Sequence, residues 1–336
     1  MSIQASDGYE ARVKVFITGL AGFIGFHTAT RLAGEGHAVS GIDNLNDYYP
    51  PALKKARLAA LPESVRFVEM DLAETERLAE RIRDEKPDVV LHLAAQAGVR
   101  YSIDHPMAYA ASNLVGHLSV LEACRHCDGL SHLVYASSSS VYGGNEKTPF
   151  HEDDPVDQPV SLYAATKRAD ELMSSTYAHL YGLKQIGLRF FTVYGPWGRP
   201  DMAYWSFSER ILSGDPIRLF NHGDMMRDFT YVDDIVDGII ATVTKPAVAL
   251  SRNDRPHKIY NIGHNEPVSL MEFVETLEQA CGKVAKKEFL PMQPGDVYRT
   301  FADISDINRD YGFSPKVSLK DGIAEFIEWF KAYRAG

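Results

Sequence analysis

The first half of the chain alternates short apolar, β-branched segments with longer stretches of helical period. The apolar segments are hydrophobic along most of their length, as strands are when helices cover both faces of a sheet. They span residues 13–18, 38–42, 65–70, 89–93, 133–136 and 185–190. This repeated alternation predicts an α/β fold built on a doubly wound parallel sheet.

A glycine cluster directly follows the first predicted strand. Gly19, Gly22 and Gly25 would let the backbone turn tightly and approach a pyrophosphate, held by amide N–H groups at a helix N-terminus. Alone, such a cluster also fits a simple tight turn. However, Asp43 ends the second predicted strand, close to the spacing of about 20 residues at which an acid binds the adenosine ribose. Because an acid there repels a 2′-phosphate, we predict NAD rather than NADP as the cofactor.

Two domains are predicted. Residues 12–194 would form the NAD-binding Rossmann domain, and we expect residues 229–245 to return to it. Turn-forming glycine and proline residues become frequent from Gly195 onward. Residues 195–336 are therefore predicted to form mainly a smaller C-terminal α+β domain that binds the substrate.

The charge balance limits the possible partners. The 336 residues include 35 Lys and Arg against 45 Asp and Glu, a net charge of −10. This sign argues against a protein that coats nucleic acid or an anionic membrane, so an anionic substrate would require arginines gathered in one cleft. No apolar run is long enough to span a membrane, and residues 1–11 lack a signal-peptide pattern. We expect a cytoplasmic protein with no nucleic-acid or membrane partner.

Cysteines and histidines show no metal-site pattern. Cys124, Cys127 and Cys281 are too few for a disulfide framework. A zinc site needs about four ligands, and no second Cys-x-x-Cys pair exists. The Cys124/Cys127 pair falls near the end of a predicted helix, away from the N-terminus where the dipole favours a thiolate. We interpret these cysteines as packing residues and expect no metal.

The Gly-x-x-Gly-x-x-Gly spacing resembles the extended short-chain dehydrogenase/reductase superfamily. The resemblance continues at the ends of the third and fourth predicted strands and in the helix that follows. It implies an NAD-binding set of Gly19, Gly22, Phe23, Ile24, Gly25, Asp43, Asn44, Asp71, Leu72, Leu93, Ala94, Ala95, Asn113, Tyr163 and Lys167.

Tyr163 and Lys167 are four residues apart, hence on one face of a predicted helix. Tyrosine, with an ordinary pKa of about 10, is a poor base unless a nearby cation stabilises the phenolate. The pattern is common on amphipathic helices, but the preceding glycine motif and the serine run 137–140 favour catalysis. The resemblance implies Ser138 as the catalytic hydroxyl, with Tyr163 as base and Lys167 as its activator. Ser137 is the nearest rival to Ser138, and we interpret it as structural.

Together these features resemble enzymes that modify nucleotide sugars by first oxidising C4 of the sugar. In the 4,6-dehydratases the positions of Ser139 and Ser140 hold Asp and Glu, and decarboxylases that form UDP-xylose hold Glu at the position of Ser140. This chain has hydroxyls there. Segments 94–102 and 189–203 closely resemble UDP-glucuronate 4-epimerases, whereas UDP-glucose/galactose 4-epimerases normally have Asn in place of Thr192.

The resemblance implies NAD-dependent inversion of C4 of UDP-glucuronate to UDP-galacturonate through a 4-keto intermediate, without decarboxylation. Neutral hydroxyls would hold the carboxylate of this β-keto acid out of the alignment that releases CO2. Arg227 and Arg299 are implied to bind the diphosphate and Asp296 the uridine ribose. The implied substrate-binding set is Arg100, Ser138, Ser139, Ser140, Tyr163, Thr192, Arg199, Arg227, Asp296 and Arg299.

Other functions remain open. A UDP-hexose 4-epimerase, acting on glucose/galactose or N-acetyl sugars, would share most of these motifs. A non-catalytic NAD-binding regulator would not need Ser138, Tyr163 and Lys167, and a plain reductase would leave the nucleotide-sugar motifs without a purpose. Helices predicted over 107–125 and 163–180 match those through which this superfamily forms homodimers. The expected partners are therefore a UDP-sugar substrate and a second copy of the chain.

Overall fold

The apolar segments of the sequence form strands in the computed structural model, which describes residues 12–245, 256–293 and 297–335. All of these strands except the one at residues 66–69 are buried along most of their length. The strands within these ranges are β1 Lys14–Thr18, β2 Ala38–Asp43, β3 Arg66–Glu69, β4 Val89–His92, β5 His132–Ser138, β6 Gln185–Phe190, β7 Thr192–Tyr194, β8 Pro216–Leu219, β9 Met226–Tyr231, β10 His257–Ile262, β11 Pro267–Ser269 and β12 Lys286–Phe289.

The segments of helical period form α-helices between and after these strands. They are α1 Phe23–Gly34, α2 Pro51–Ala59, α3 Thr75–Glu85, α4 Tyr101–Asp104, α5 Pro106–Tyr109, α6 Gly116–Arg125, α7 Leu162–Tyr181, α8 Ala203–Ser213, α9 Val232–Thr244, α10 Leu270–Cys281, α11 Ser305–Tyr311 and α12 Leu319–Ala335. A π-helical segment, Ala110–Val115, joins α5 to α6, and a 3-10 turn, Ser139–Tyr142, follows β5.

Seven parallel strands form the main sheet, in the order β10-β6-β5-β4-β1-β2-β3. The strand order reverses beside β1, which pairs with β2 on one side and β4 on the other. In such sheets, ligands bind beyond the carboxyl ends of the strands at this switch point. The predicted doubly wound parallel sheet is confirmed, and its topology places a binding site after β1 and β4.

The smaller C-terminal part contains two short sheets, in the orders β11-β9-β7 and β12-β8. The pairing of two strands bears on where the boundary between the predicted domains lies. Residues 229–231, expected to return to the first domain, lie in β9 of a small sheet, although the following helix α9 packs against α1. Strand β10, expected in the second domain, instead pairs with β6 and extends the main sheet.

The position of β10 at the edge of the main sheet explains why no strand was predicted from its sequence. A strand with one open edge does not need to be apolar throughout, and β10 begins with His257 and Lys258 and also contains Asn261. Its pairing with β6 depends on contacts between residues about 70 positions apart. Local periodicity carries no information about such a pairing.

All three cysteines are buried with free thiols. Burial raises the pKa of Cys124, Cys127 and Cys281 above that of an exposed thiol, which keeps the groups protonated and unreactive. Cys124 lies near the end of α6, in the core cluster under the sheet. These placements agree with the interpretation of the cysteines as packing residues.

Candidate active site beyond the strand ends

A cavity of about 900 Å³ lies at the carboxyl ends of the main-sheet strands. Most of the residues predicted to bind cofactor or substrate line it. These are Gly19, Gly22, Phe23, Ile24, Gly25, Asp43, Asn44, Asp71, Leu72, Leu93, Ala94, Ala95, Arg100, Ser138, Ser139, Ser140, Tyr163, Lys167, Thr192, Arg199 and Arg227. Asn113 and Arg299 do not line the cavity, and Asp296 lies outside the described residues.

The glycine turn is too crowded for side chains. Gly19 has a φ of +76°, and a Cβ atom added there would lie 2.7 Å from the backbone nitrogen of Ala94. A Cβ atom on Gly25 would lie 2.2 Å from the carbonyl oxygen of Gly19. Helix α1 therefore begins close against the turn, and its first turn carries no acidic residue or side-chain cap. This open N-terminus, with its partial positive charge, fits the pyrophosphate of NAD.

Polar side chains close the end of the cavity that would hold adenosine. The Asp43 carboxylate is 8% exposed and accepts a 2.8 Å hydrogen bond from the Leu45 amide. The Lys54 ammonium lies 3.6 Å from it. Burial lowers the pKa of Lys54, and attraction to Asp43 partly offsets that effect. Asp43 is thus held at the end of β2, where its oxygens can accept from ribose hydroxyls.

Asn44 and Asp71 join the ends of β2 and β3 beside this position. The Asn44 side-chain amide donates to Asp71 over 2.7 Å, and the other Asp71 oxygen accepts from the Ala73 amide over 2.8 Å. These bonds hold both predicted residues along the adenosine end. Lys54 was missed because a lysine on an amphipathic helix ordinarily faces solvent.

Helix α7 presents Tyr163 and Lys167 to the cavity. The Ser161 hydroxyl caps the helix by accepting from the Ala164 amide over 3.1 Å. Lys167 is 3% exposed, and its Nζ donates to the Ala136 carbonyl over 3.0 Å and to Asp170 over 3.1 Å. Tyr163 is half-buried and lines the same cavity.

Neighbouring hydroxyls of the serine run at the end of β5 have different hydrogen-bond partners. Ser137 and Ser138 both line the cavity. The Ser137 hydroxyl donates to the buried Glu171 carboxylate over 2.6 Å. The Ser138 Oγ is 3.2 Å from both the Oγ and the amide nitrogen of Ser140. Because the buried carboxylate already engages Ser137, these partners favour Ser138 as the hydroxyl available to a substrate.

Hydroxyls and ordered charged groups surround the sugar end. Ser139, Ser140 and Thr192 line the cavity, and no glutamate is among its described lining residues. Arg199 pairs with Asp201 through bonds of 3.0 and 2.5 Å, and Tyr48 donates to the same carboxylate over 3.0 Å. Tyr48 and Asp201 were not among the predicted substrate contacts, and both line the cavity. Their hydrogen bond joins residues 153 positions apart, which no local pattern predicts.

The predicted diphosphate arginines lie close together but differ in access to the cavity. Arg227, on β9, lines the cavity and donates to the carbonyls of Met226 and Tyr298 over 2.8 and 3.1 Å. Arg299 forms an isolated bridge with Met226 and donates to the Thr148 hydroxyl over 3.3 Å. Of the two, Arg227 lines the cavity and Arg299 does not.

Asn113, a predicted cofactor contact, does not line the cavity and forms its described hydrogen bonds within the protein. It is 1% exposed within the π-helical segment, and its amide donates to the Gln96 carbonyl over 3.1 Å and to the Thr166 hydroxyl over 2.9 Å. Its oxygen accepts from the Gln96 amide over 2.8 Å. Asn113 thus ties the loop after β4 to α7, and so aligns the two walls of the cavity.

The cavity is positive although the chain is acidic. Its charged lining comprises six basic side chains, Lys54, Arg100, Lys167, Arg199, Arg218 and Arg227, and four acidic ones, Asp43, Asp71, Asp104 and Asp201. The expected local gathering of arginines is present. This distribution favours an anionic ligand, because attraction is strongest in a concave site.

Within residues 12–245, 256–293 and 297–335, no helix has the length and apolar character needed to cross a membrane. In the same ranges, no group of three or more His, Cys, Asp or Glu side chains is placed to hold a metal ion.

Comparisons with known proteins agree with this geometry. Residues 15–263 match the NAD dependent epimerase/dehydratase family. Protein CapI of Staphylococcus aureus is 49% identical, over 96% of this chain and 99% of that protein. A probable UDP-glucuronate 4-epimerase of Rhizobium meliloti is 47% identical, over 95% of this chain and 97% of that protein.

A solved structure is also similar over nearly the full length. The UDP-glucuronic acid 4-epimerase from Bacillus cereus, crystallised in complex with UDP-glucuronic acid and NAD, superposes with a TM-score of 0.86 at 34% identity. The match covers 95% of this chain and 99% of that one. Sequence, fold and cavity thus lead to one assignment: the chain belongs to the NAD dependent epimerase/dehydratase family.

Proposed function

We propose that this protein is an NAD-dependent isomerase that interconverts UDP-glucuronate and UDP-galacturonate by inverting C4. The observation that carries the proposal is the lining of one cavity. Ser138, Tyr163 and Lys167 lie there with the hydroxyls of Ser139, Ser140 and Thr192, and no glutamate is found among the described lining residues. Relatives named as UDP-glucuronate 4-epimerases, 47% and 46% identical, support the same substrate.

The residues present fit NAD. The glycine turn and the uncapped N-terminus of α1 would hold the pyrophosphate, and Asp43 would bind the adenosine ribose. Tyr163 and Lys167 line the same cavity. When bound, NAD supplies an acceptor for the C4 hydride and returns that hydride to the opposite face of the ketone. The chain's own residues must therefore move a proton and hold the sugar.

Tyr163 is the proposed proton carrier. In the forward direction its phenolate oxygen accepts the proton of the C4 hydroxyl as the ketone forms. In the return step it gives that proton back to the C4 oxygen, so the reaction has no net redox change. The Lys167 ammonium stabilises the phenolate by its charge. The Ser138 hydroxyl shares the hydrogen bond to the C4 oxygen, and a positioned acid–base group of this kind contributes about 10²–10⁴-fold to the rate.

The hydroxyls at the sugar end are proposed to prevent loss of CO2. Oxidation of C4 makes the sugar a β-keto acid, which decarboxylates when the bond between C5 and the carboxyl carbon aligns with the ketone π-system. Donors from Ser139, Ser140 and Thr192 would hold the carboxylate away from that alignment. Neutral donors avoid the repulsion that a glutamate would exert on the substrate carboxylate.

Inversion also requires the sugar to turn while the nucleotide stays bound. We propose Arg227 as the main diphosphate contact, since it lines the cavity and its guanidinium can bind phosphate oxygens. Arg100 and Arg199 would assist along the sugar end. Arg299, which bonds Thr148 beside Met226, remains a proposed second diphosphate contact. Asp296 remains a proposed contact to the uridine ribose.

A product assay tests the proposal. Purified protein incubated with UDP-glucuronate and NAD, without added reductant, should form UDP-galacturonate as the main product, resolved by anion-exchange chromatography. UDP-xylose as the main product would contradict the function. UDP-glucose and UDP-N-acetylglucosamine serve as parallel substrates, and faster turnover of either would favour the UDP-hexose epimerase alternative. No turnover of any of them, with NAD bound, would favour a regulator.

A homodimer is the proposed assembly. Helices α6 and α7 expose apolar side chains that a globular monomer would be expected to cover. Those on or next to the two helices are Val115, Leu118, Leu162, Leu172, Leu180 and Tyr181. A second copy presenting the same pair of helices would cover them in a symmetric four-helix contact. Light scattering coupled to gel filtration measures the predicted mass of two chains.

The cytosol is the proposed compartment. The three cysteines keep free thiols, as in proteins of reducing compartments. Fractionation of cells that produce the protein should recover the C4-inverting activity in the cytosolic fraction. Recovery in an oxidising compartment would contradict the proposal.

A further inference from the structure

Two adjacent carboxylates on α7 are buried, but their surroundings differ. Glu171 is fully paired: it accepts two bonds from Arg189, over 2.8 and 2.9 Å, and one from Ser137 over 2.6 Å. Asp170 is 0% exposed, and one of its oxygens accepts from Lys167 over 3.1 Å. Its second oxygen is buried with no hydrogen-bond partner among the described residues. Glu171 joins α7 to the sheet, whereas Asp170 is directed at Lys167.

Among the charged groups near Asp170, Lys167 is the cation that donates a hydrogen bond to it. The titratable and charged groups that face this region are Lys167 and Glu171 on α7, His92 on β4, His117 on α6, Tyr135 on β5, Arg189 on β6 and His257 on β10. Burial, followed by the charge of Lys167, lowers the pKa of His92 to about 3, so this ring is neutral. Burial likewise keeps His117 neutral. Arg189 is engaged by Glu171.

A half-satisfied buried carboxylate is unfavourable for folding. Burial raises the pKa of Asp170 to about 6, even though attraction to Lys167 acts in the opposite direction. The ionised side chain thus works against stability near neutral pH. Its presence is better explained by what it does to Lys167 than by a contribution to the fold.

The geometry points to Asp170 as a positioning residue for the reaction, acting through Lys167. An ammonium group has three N–H donors. The Asp170 carboxylate and the Ala136 carbonyl accept two of these N–H donors of Lys167, and so fix the position of Nζ. The third N–H is then left to donate toward the cavity. This inference rests on the proposed roles of Tyr163 and Lys167.

Asp170→Asn tests the inference. The turnover number kcat for UDP-glucuronate should fall about tenfold or more, because small displacements of catalytic groups are costly, while KM stays within about twofold. The dissociation constant of NAD, measured by fluorescence titration, should rise. The wild-type kcat should decrease as the pH falls below about 6, where Asp170 gains its proton, and the variant should lack this acid limb.

Controls separate positioning from folding. Asp234 is another buried aspartate on a helix, accepting from the amides of Lys316 and Val317 over 3.0 Å each, and it does not line the cavity. Asp234→Asn should leave kcat and the pH profile unchanged. Asp170→Ser provides a second, smaller neutral variant. Normal kcat in a folded Asp170→Asn or Asp170→Ser protein, or loss of activity that only parallels loss of thermal stability, would overturn the inference.

A failure of the proposed function can be distinguished from a failure of the inference about Asp170. If the wild-type protein does not convert UDP-glucuronate, the proposed function itself is wrong. If the wild-type protein converts UDP-glucuronate and Lys167→Ala does not, but Asp170→Asn is as fast as the wild type, then only the role of Asp170 is wrong.

Discussion

Neutralising the two adjacent carboxylates of α7 is predicted to change stability in opposite directions. Burial raises the pKa of Asp170 to about 6 from its ordinary 3.8. At 1.36 kcal/mol per pKa unit this difference corresponds to about 3 kcal/mol in favour of the uncharged form in the folded protein. Asp170→Asn, which is uncharged and nearly isosteric, should therefore be up to about 3 kcal/mol more stable at pH 7.

The direction of the Asp170 pKa shift also predicts how the stability of the protein depends on pH. Because the folded pKa is raised, the folded state binds more protons than the unfolded state between about pH 4 and 6. The contribution of Asp170 to stability therefore declines as the pH rises through this window, and its full unfavourable effect is present above pH 6. The Asp170→Asn protein should lack this component of the pH dependence.

Glu171→Gln, in contrast, should lower the stability of the folded protein. Burial alone would raise the pKa of Glu171, but Arg189, with Ser137 and Arg168, lowers it below its ordinary value. The Glu171 and Arg189 side chains are 0% and 1% exposed. Removing one partner leaves a buried charge uncompensated, which costs about 3–5 kcal/mol.

Scanning calorimetry at pH 5 and pH 7 measures both effects. The transition of Asp170→Asn should rise by several degrees at pH 7 and by less at pH 5, while that of Glu171→Gln should fall at both. An Asp170→Asn protein less stable than the wild type at pH 7 would show that the carboxylate is a structural ion-pair partner. The account of Asp170 as a residue retained for function would then be wrong.

Three other perturbations address the cofactor, the substrate carboxylate and the assembly. Gly25→Ala places a Cβ atom 2.2 Å from the Gly19 carbonyl oxygen, so the turn must shift. The Kd for NAD, measured by fluorescence titration, should therefore rise at least tenfold, and an unchanged Kd would reject this turn as the pyrophosphate site. Thr192→Asn should increase the CO2 released per turnover from UDP-[6-14C]glucuronate, and equal release would remove the role given to its hydroxyl. Leu118→Glu with Leu172→Glu should convert the dimer to a monomer in light scattering, and a persistent dimer would place the interface elsewhere.

The parts of the fold that follow local rules were predictable from the sequence. Strand β6 forms over the same residues as the apolar segment that predicted it, because periodicity and burial agree there. The glycine turn was predictable because only glycine fits there. A Cβ atom on Gly19 would collide with the Ala94 backbone, and one on Gly25 would collide with the Gly19 carbonyl oxygen. The same holds for Tyr163 and Lys167, whose spacing on one helix already places them side by side.

Other features depend on contacts that no local pattern encodes. The hydrogen bonds of Asn113 to Gln96 and Thr166 were not predicted, because the three residues lie far apart in the sequence. Arg57 looks like a solvent-facing charge on α2, but it is 0% exposed and donates to the carbonyls of Trp197 and Gly198. Arg57 thus holds the loop before Arg199 against α2 of the predicted NAD-binding domain.

The central claim is that one chain removes and returns hydrogen at the same carbon while retaining the carboxylate. UDP-glucuronate carrying deuterium at C4 tests it most directly, with the products followed by NMR and mass spectrometry. The account predicts UDP-galacturonate that keeps the deuterium at C4 and the carboxylate at C5, and no turnover by Tyr163→Phe. Exchange of the C4 deuterium for solvent hydrogen, or UDP-xylose as the main product, would contradict it.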